Sequence, residues 1–230
     1  MKRLVLLGEG HGDVAALPIL VRRLLQEKDK AHLLHVDHDV IRFGSSRVMR
    51  WDKGRKQPDY TEWIKGVTVA ARRRNIAAVL AVYDGDLKNF PPGSDSPFCA
   101  AIAAKSMAAA TAQAGAGRRF SLSVVFACVE YETWIVAGAA SLRGRPLADG
   151  RVALPVNVPI PTGDPESHGK RWLQQHCPNY RETRDQGPFT ELLDLDCVRS
   201  KRLRSFRRLE HALDQLLEAA TGSFHVLTPR

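Results

Sequence analysis

Three predominantly apolar runs constrain the fold of this chain more than any other feature of its sequence. They occupy residues 4–7, 77–83 and 121–129. Runs of this kind, which contain no charged residue, are typical of strands buried on both faces of a parallel sheet. Apolar residues at helical spacing follow the first run at residues 13–27, and an alanine-rich helix is predicted at residues 98–114. Because strands alternate with helices, the sequence predicts an α/β fold with a parallel sheet flanked by helices.

The segments between these runs predict the remaining elements of the first part of the chain. A short strand is expected at residues 33–36, an exposed loop at 47–59 and a helix at 60–74. Asp13 is in position to be the N-cap of the first helix, since a carboxylate there accepts a hydrogen bond from a backbone N–H of the first turn. The C-terminal ends of parallel strands share one edge of the sheet, where α/β proteins place their sites.

The sequence changes in character after Gly138, which predicts a second part. Pro and Gly residues between 143 and 165 favour a loop-rich linker or a small hairpin. Helical pieces are predicted at residues 168–176, 188–193 and 205–220. We therefore expect a core at residues 1–140, followed at 141–230 by a loop-rich linker and a mostly helical C-terminal extension packed on that core.

The balance of charge favours a polyanionic partner. The chain has 34 Lys and Arg against 25 Asp and Glu, which gives a formal net charge of +9. Phosphate groups attract such a surface, because binding neutralises them and releases their counterions. The residues predicted to bind nucleic acid crowd one segment, with an aromatic side chain among them: Arg47, Arg50, Trp51, Lys53, Arg55 and Lys56. Residues 199–208 form a second basic segment, and for either segment the alternative is an ordinary solvated surface.

The cysteines and the apolar runs argue against two other classes of protein. The four cysteines form no CxxC pair and have no regular spacing, so neither a zinc site nor a disulfide framework is expected. The longest apolar runs fall short of the length that crosses a bilayer. We expect reduced thiols, a cytoplasmic location and no membrane partner.

Acidic residues directly follow the predicted buried strands. Glu9 follows the first of them, Asp84 and Asp86 follow the run at 77–83, and Glu130 or Glu132 follows the next one. If these strands are parallel neighbours, the carboxylates converge at one edge. Mg²⁺ prefers a few carboxylate oxygens, several waters and substrate phosphate oxygens. The alternative for each acid taken singly is an ordinary turn residue or helix N-terminal residue.

Three segments resemble the motifs of TOPRIM proteins, which include topoisomerases, primases, recombination proteins and overcoming-lysogenisation-defect nucleases. Residues 7–13 (LGEGHGD) resemble the first motif, and residues 82–86 (VYDGD) resemble the second. A Glu-x-Trp at residues 132–134 and short motifs in the C-terminal part extend the resemblance over nearly the whole chain. The C-terminal motifs are Gly169-Lys170, Tyr180-Arg181-Glu182-Thr183 and Ser205-Phe206. The closest resemblance is to a small standalone bacterial TOPRIM-like family, domain of unknown function 4276.

The resemblance implies roles for individual residues. Glu9 would be a general acid/base or a ligand of a second metal, while Asp84 and Asp86 would bind Mg²⁺, with Mn²⁺ as the substitute. Glu132 would complete the metal site or act only as a helix N-terminal acid. Asp13 replaces the usual second Glu of the first motif and would contact metal directly, through water, or serve only as a cap. Lys170 would neutralise charge that develops on a phosphate.

The resemblance also implies a function, with two alternatives. The leading expectation is a Mg²⁺-dependent nuclease in bacterial defence against phage or mobile DNA, with an ATPase or another defence protein as a partner. The first alternative is a nucleotide phosphotransferase on the same TOPRIM-like fold, although the sequence contains no P-loop. The second is a non-catalytic subunit that binds nucleic acid or a protein partner.

Overall fold

A parallel sheet forms the centre of the molecule. The computed structural model describes residues 1–44, 50–55, 57–90, 95–161 and 169–229. The strands are β1 (Lys2–Gly8), β2 (Leu34–Val36), β3 (Ile41–Arg42), β4 (Arg50–Asp52), β5 (Gln57–Asp59), β6 (Ile76–Asp84), β7 (Ser121–Ala127) and β8 (Leu227–Thr228). The main sheet has the order β2-β1-β6-β7-β8, and β3 also pairs with β1. Every pairing in this sheet is parallel, whereas β4 and β5 form a separate antiparallel hairpin.

Helices cover both faces of this sheet. Those of the described chain are α1 (His11–Gln26), α2 (Thr61–Ala71), α3 (Ala100–Ala110), α4 (Glu132–Ala137), α5 (Ala139–Leu142), α6 (Gly169–His176), α7 (Glu182–Leu192), α8 (Leu195–Ser200) and α9 (Arg204–Gly222). Among the described helices, none combines the length and the apolar character that a bilayer crossing requires.

Alternate side chains of β1 and β6 enter two separate hydrophobic clusters, because successive side chains of a strand point to opposite faces. Leu6 and Leu80 pack with residues of α1, α7 and α9 on one face. Val5 and Val79 pack with residues of α2 and α3 on the other face. The prediction of an α/β fold with a mostly parallel sheet, flanking helices and a helical C-terminal part is therefore confirmed.

The C-terminal part shares the first of these clusters. Phe189 of α7 and Leu213 of α9 are fully buried together with Leu20 of α1. Residues from both sides of the predicted boundary at 140 thus build one core. The chain also returns to the sheet at its end, where β8 pairs with Leu122 and Ser123 of β7.

Several local predictions were wrong. Helix α1 begins at His11 with Gly10 as its N-cap, so Asp13 lies in the first turn and is not the cap. The predicted loop at 47–59 contains the β4–β5 hairpin, although residues 45–49 and 56 lie outside the described residues. The helix predicted to begin at Pro188 begins six residues earlier, at Glu182. Pro188 therefore lies inside helix α7 and not at its start.

Candidate functional site

The carboxyl ends of β1 and β6 bring Glu9 and Asp84 together. The two strands are paired side by side up to Leu7 and Ala81, so the residues that follow them emerge next to each other. The backbone N–H of Asp84 donates a hydrogen bond to Oε2 of Glu9 at 3.3 Å. This is the edge at which ligands bind in open α/β sheets.

Asp13 holds the loop that carries Glu9. Its Oδ2 accepts hydrogen bonds from the backbone N–H groups of Glu9 and Gly10, both at 2.9 Å. A Cβ atom at Gly8 would lie 2.9 Å from Cβ of Asp13, so this close approach requires glycine. Burial raises the pKa of Asp13, the two hydrogen bonds oppose the shift and the charge of Glu9 adds to it. Asp13 is therefore a positioning residue for Glu9 in this structure.

Asp84 is the electrostatic centre of the site. Burial raises its pKa well above the ordinary value, and the negative charges of Asp13, Glu132 and Glu9 raise it further. A hydrogen bond of 2.9 Å from the backbone N–H of Tyr131 to Oδ1 of Asp84 opposes this shift. Three other acids, which come from two other segments of the chain, thus act on one carboxylate.

Gly85 connects the end of β6 to the end of β7 through backbone hydrogen bonds. Its backbone N–H donates to the carbonyl oxygens of Ala127 and Val129, both at 2.7 Å. A Cβ atom at this position would lie 2.8 Å from the oxygen of Ala127, which explains why a glycine separates the two aspartates. Asp86 follows on the exposed side of this turn.

Glu132 approaches the site from the first turn of α4. Its side chain is buried, and the hydroxyl of Tyr180 donates a hydrogen bond to its Oε1 at 3.0 Å. Burial raises the pKa of Glu132, as does the charge of Glu130, while Tyr180 and the charge of Lys170 oppose the shift. Glu132 is therefore a buried acid with a fixed orientation, whereas Glu130 is only partly buried.

Lys170 lies beside this acidic segment, at the start of α6. Its backbone N–H donates to Oε1 of Glu130 at 2.5 Å, and its ammonium group forms an ion pair with Glu182. The preceding residue makes this approach possible, because a Cβ atom at Gly169 would lie 2.5 Å from the backbone nitrogen of Thr133. The structure thus brings Lys170 to the site, but with its ammonium group paired to a carboxylate.

The remaining motif residues surround α4. Trp134 donates from Nε1 to Oγ of Ser205 at 3.0 Å, and its ring centroid lies 5.8 Å from that of Phe206. Tyr180 contacts Glu132 on the same helix. Sequence reasoning grouped Tyr180, Ser205 and Phe206 only by resemblance and missed their shared contact with α4, since nothing in their spacing along the chain indicates it.

The described acids do not form a preformed metal site with three or more protein ligands. Among the described residues, no three His, Cys, Asp or Glu side chains have a geometry that would hold a metal ion. Mg²⁺ usually keeps several waters and binds through one or two carboxylates together with substrate phosphates. Glu9 and Asp84 supply hard oxygen donors of this kind at adjacent strand ends, with Asp86 beside them. The donor set therefore fits Mg²⁺ better than it fits a metal that needs several protein ligands.

The predicted nucleic-acid-binding segment forms the β4–β5 hairpin. Arg50, Lys53 and Arg55 are exposed on it, and Trp51 is half-buried opposite Pro58. Two further predicted residues, at positions 47 and 56, lie outside the described residues.

The second basic segment divides into residues with different partners. Arg199 forms ion pairs with Glu27, Asp196 and Glu210, so its charge is compensated within the chain. Arg204 and Arg208 instead line a cavity next to β7.

One family model matches the chain, and the match includes every residue of the acidic site. The model is described as "Domain of unknown function (DUF4276)" and covers residues 8–214. Neither a curated protein nor a solved structure matches the chain significantly. The chain belongs to the family described as Domain of unknown function (DUF4276).

Proposed function

We propose that the acidic site binds Mg²⁺, in the manner of a TOPRIM site, and that the protein hydrolyses phosphodiester bonds of nucleic acid. The observation that carries this proposal is the environment of Asp84. Its carboxylate ends a central strand and experiences the negative charges of Asp13, Glu132 and Glu9 at once.

These neighbouring carboxylates destabilise the folded chain when no cation is bound between them. Carboxylates that share a partly buried site repel one another, and burial adds a further penalty for each charge. Of the neighbouring cations, Lys170 is paired with Glu182. A divalent cation next to Asp84 would relieve the repulsion and the desolvation penalty together.

The side chains of the site have separate tasks in this proposal. Asp84 and Asp86 hold the cation, and Glu132 adds negative charge from the buried side. Glu9, whose backbone is fixed by Asp13, accepts a proton from the attacking water or returns one to the leaving oxygen. Lys170 neutralises charge on the phosphate after its pairing with Glu182 loosens. A bound Mg²⁺ would polarise the phosphoryl oxygen and lower the pKa of a bound water.

The charge outside the site supports a polyanionic substrate. The chain carries a net charge of +9 despite this acidic cluster. The β4–β5 hairpin exposes Arg50, Lys53 and Arg55 around Trp51, a combination of cations with an aromatic ring that suits flexible nucleic acid. The cellular setting that we propose, defence against phage or mobile DNA with a partner protein, rests on the TOPRIM resemblance alone.

The test is cleavage of a panel of nucleic acids by the purified chain. Single-stranded DNA, double-stranded DNA, tRNA and other RNA are incubated with Mg²⁺, with Mn²⁺ or with EDTA. We expect cleavage that requires the cation and that falls by at least about 100-fold in Glu9→Gln and Asp84→Asn. The matched control is Asp29→Asn, which removes an exposed carboxylate beyond the other end of α1 and should cleave normally.

Three results would contradict the proposal. Cleavage that is equal in Asp84→Asn and in the unchanged chain would exclude the acidic site as its origin. Metal-independent binding without any cleavage across the panel would favour a non-catalytic subunit, and turnover of free nucleotides without strand cleavage would favour a phosphotransferase.

A further inference from the structure

A recess lies along the outer edge of β7, near the acidic site. It has a volume of about 380 Å³ and lies between α3 and α9. Strand β8 pairs with β7 only at Leu122 and Ser123. The recess begins where this pairing ends, and Val124 and Phe126 of β7 form part of its wall. The early end of β8 therefore creates the space.

Arg208 brings an uncompensated positive charge to this recess. Its Nη2 donates to Oγ1 of Thr228 at 2.6 Å, and that hydroxyl in turn donates to Oε1 of Gln215 at 2.9 Å. No carboxylate of the described chain pairs with Arg208. Burial lowers the pKa of its guanidinium, and no neighbouring acid opposes that shift. Thr228 thus fixes the side chain but leaves most of its five N–H donors for another acceptor.

Arg204 lies one helical turn earlier on the same wall. Residues four apart on a helix are neighbours, and both arginines line the same recess. No carboxylate within the described ranges forms an ion pair with Arg204 either. The contrast with Arg199, which has three acidic partners, shows that these two cations are not simply part of a surface network. Paired guanidinium groups are suited to phosphate, which they bind through parallel hydrogen bonds.

The opposite wall is apolar. Ala101 and Ala104 of α3 and Phe126 of β7 line it. Ligand sites of this size usually combine such a wall with a few polar groups that fix orientation. A ligand with a phosphate at one end and a flat, weakly polar body at the other matches both walls, and a nucleotide has this chemistry.

Two residues that line the recess contact residues next to the acids of the candidate site. Cys128 lines the recess, and its Sγ lies 3.4 Å from the position that a Cβ atom of Gly85 would occupy. Gly85 is the neighbour of Asp84. Ser205, which also lines the recess, accepts the hydrogen bond from Trp134 of the helix that carries Glu132. Residues that line the recess therefore contact the segments that carry Asp84 and Glu132.

We propose that this recess is a nucleotide subsite in which Arg204 and Arg208 bind a phosphate and the apolar wall receives the base. The inference rests on the proposed function, because the nucleotide belongs to the strand whose next phosphodiester faces Asp84. A base enters such a recess only when it is unpaired. The substrate class is therefore single-stranded or locally opened nucleic acid.

Binding in EDTA tests this proposal without any cleavage. The full chain is titrated with dAMP, with inorganic phosphate, with a single-stranded ten-nucleotide DNA and with the corresponding duplex. We expect the single strand to bind more tightly than the duplex, and dAMP more tightly than inorganic phosphate. The double variant Arg204→Gln/Arg208→Gln should weaken binding of dAMP and of the single strand by at least about tenfold.

The matched control is Arg207→Gln, which removes the same charge from the exposed side of the same helix. It should change the binding of dAMP less than about twofold. Circular dichroism of each variant verifies that α9 is still folded, and Arg208→Lys tests whether the planar guanidinium is needed beyond its charge.

Alkylation of Cys99 provides a second readout that locates the ligand. Cys99 is exposed and lines the recess, whereas Cys177 does not line it. Bound dAMP should slow the reaction of iodoacetamide with Cys99 severalfold and leave Cys177 unchanged. This protection should disappear in the double variant.

The two proposals fail in different experiments. Equal binding of dAMP by the unchanged chain and by the double variant, or dAMP binding without protection of Cys99, would overturn the subsite, whatever the cleavage assay shows. A duplex that binds as tightly as the single strand would overturn the assigned substrate class. Protection of Cys99 in a chain that cleaves nothing would support the subsite and contradict hydrolysis.

Discussion

Asp84 ends the central strand β6 and carries the carboxylate on which most of the chemistry proposed for this protein depends. Its pKa is raised by burial first, and then by the charges of Asp13, Glu132 and Glu9. The pKa values of Asp13 and Glu132 are raised as well, again with burial as the largest cause. At the scale of the residue, these acids therefore keep their protons to a higher pH in the folded chain than in the unfolded chain.

This electrostatic arrangement predicts how stability depends on pH in the absence of divalent cations. A carboxyl group with a raised pKa holds more protons in the folded state than in the unfolded state, so stability falls as pH rises. The fall should begin near the ordinary values of 3.8 and 4.5 and end above the raised values. Asp84→Asn should flatten this dependence and stabilise the chain in EDTA at pH 7, by about 1 kcal/mol.

Urea unfolding of the two proteins over a series of pH values measures this effect. Asp29→Asn, which removes an exposed carboxylate, should retain the full pH dependence of the unchanged chain. Identical profiles for Asp84→Asn and the unchanged chain would mean that Asp84 is not the centre of the repulsion.

Sequence reasoning found the acids of the site more readily than the groups that orient them. Glu9 and Asp84 were predictable because an acid after an apolar strand is a local feature of the sequence. The backbone N–H of Tyr131 and the hydroxyl of Tyr180 were not predictable as partners, because they reach the acids from distant parts of the chain. Asp13 was predicted as the N-cap of the first helix, which was wrong, because the N-cap is Gly10, three residues earlier.

At the scale of the element, the six-residue helix α4 links the acidic site to the C-terminal part. It is too short to be stable by itself, so its position depends on the groups that pack around it. Tyr180 holds Glu132 at its start, and Ser205 holds Trp134 in its middle. Helix α6 packs directly against its first turn through Gly169.

The contact at Gly169 predicts the effect of one methyl group. In Gly169→Ala the new Cβ atom would lie 2.5 Å from the nitrogen of Thr133 and 2.7 Å from the carbonyl carbon of Glu132. Both are backbone atoms, so α6 must move away from α4. We expect a loss of about 1–3 kcal/mol in the free energy of unfolding.

Urea unfolding measures this loss, and Gly44→Ala is the matched control. A Cβ atom at Gly44 meets no atom within 4 Å, so this variant should be as stable as the unchanged chain. If Gly169→Ala unfolded at the same urea concentration as Gly44→Ala, this result would contradict a close contact between α6 and α4 at Gly169.

The elements that could be predicted are those long enough to show a pattern. Strands β6 and β7 and helices α1 and α9 bury many side chains and therefore have continuous or periodic apolar sequences. Strands β3 and β8 have two residues each, and α5 has four, so no periodicity can reveal them. Tertiary contacts, and not local sequence, determine where these short elements form.

At the scale of the whole molecule, folding brings the acids of the site together from separate segments of the chain. Glu9, Asp84 and Glu132 belong to three separate segments, and the parallel sheet with α4 brings them to one edge. The unfolded chain has no equivalent cluster. A cation that binds at this edge therefore binds the folded chain selectively, and its binding energy adds to the stability of the whole fold.

Thermal unfolding with and without divalent cations tests this central claim most directly. The unchanged chain, Asp84→Asn and Asp29→Asn are melted in EDTA, in Mg²⁺ and in Mn²⁺ at matched ionic strength. At about 100 times the Kd, a bound cation stabilises the fold by about 2.7 kcal/mol, which raises the Tm by roughly 5–10 °C for a chain of this size. We predict this shift for the unchanged chain and for Asp29→Asn, and its loss in Asp84→Asn. A Tm that does not respond to either cation, or a response that is equal in all three proteins, would contradict a divalent-cation site at Asp84.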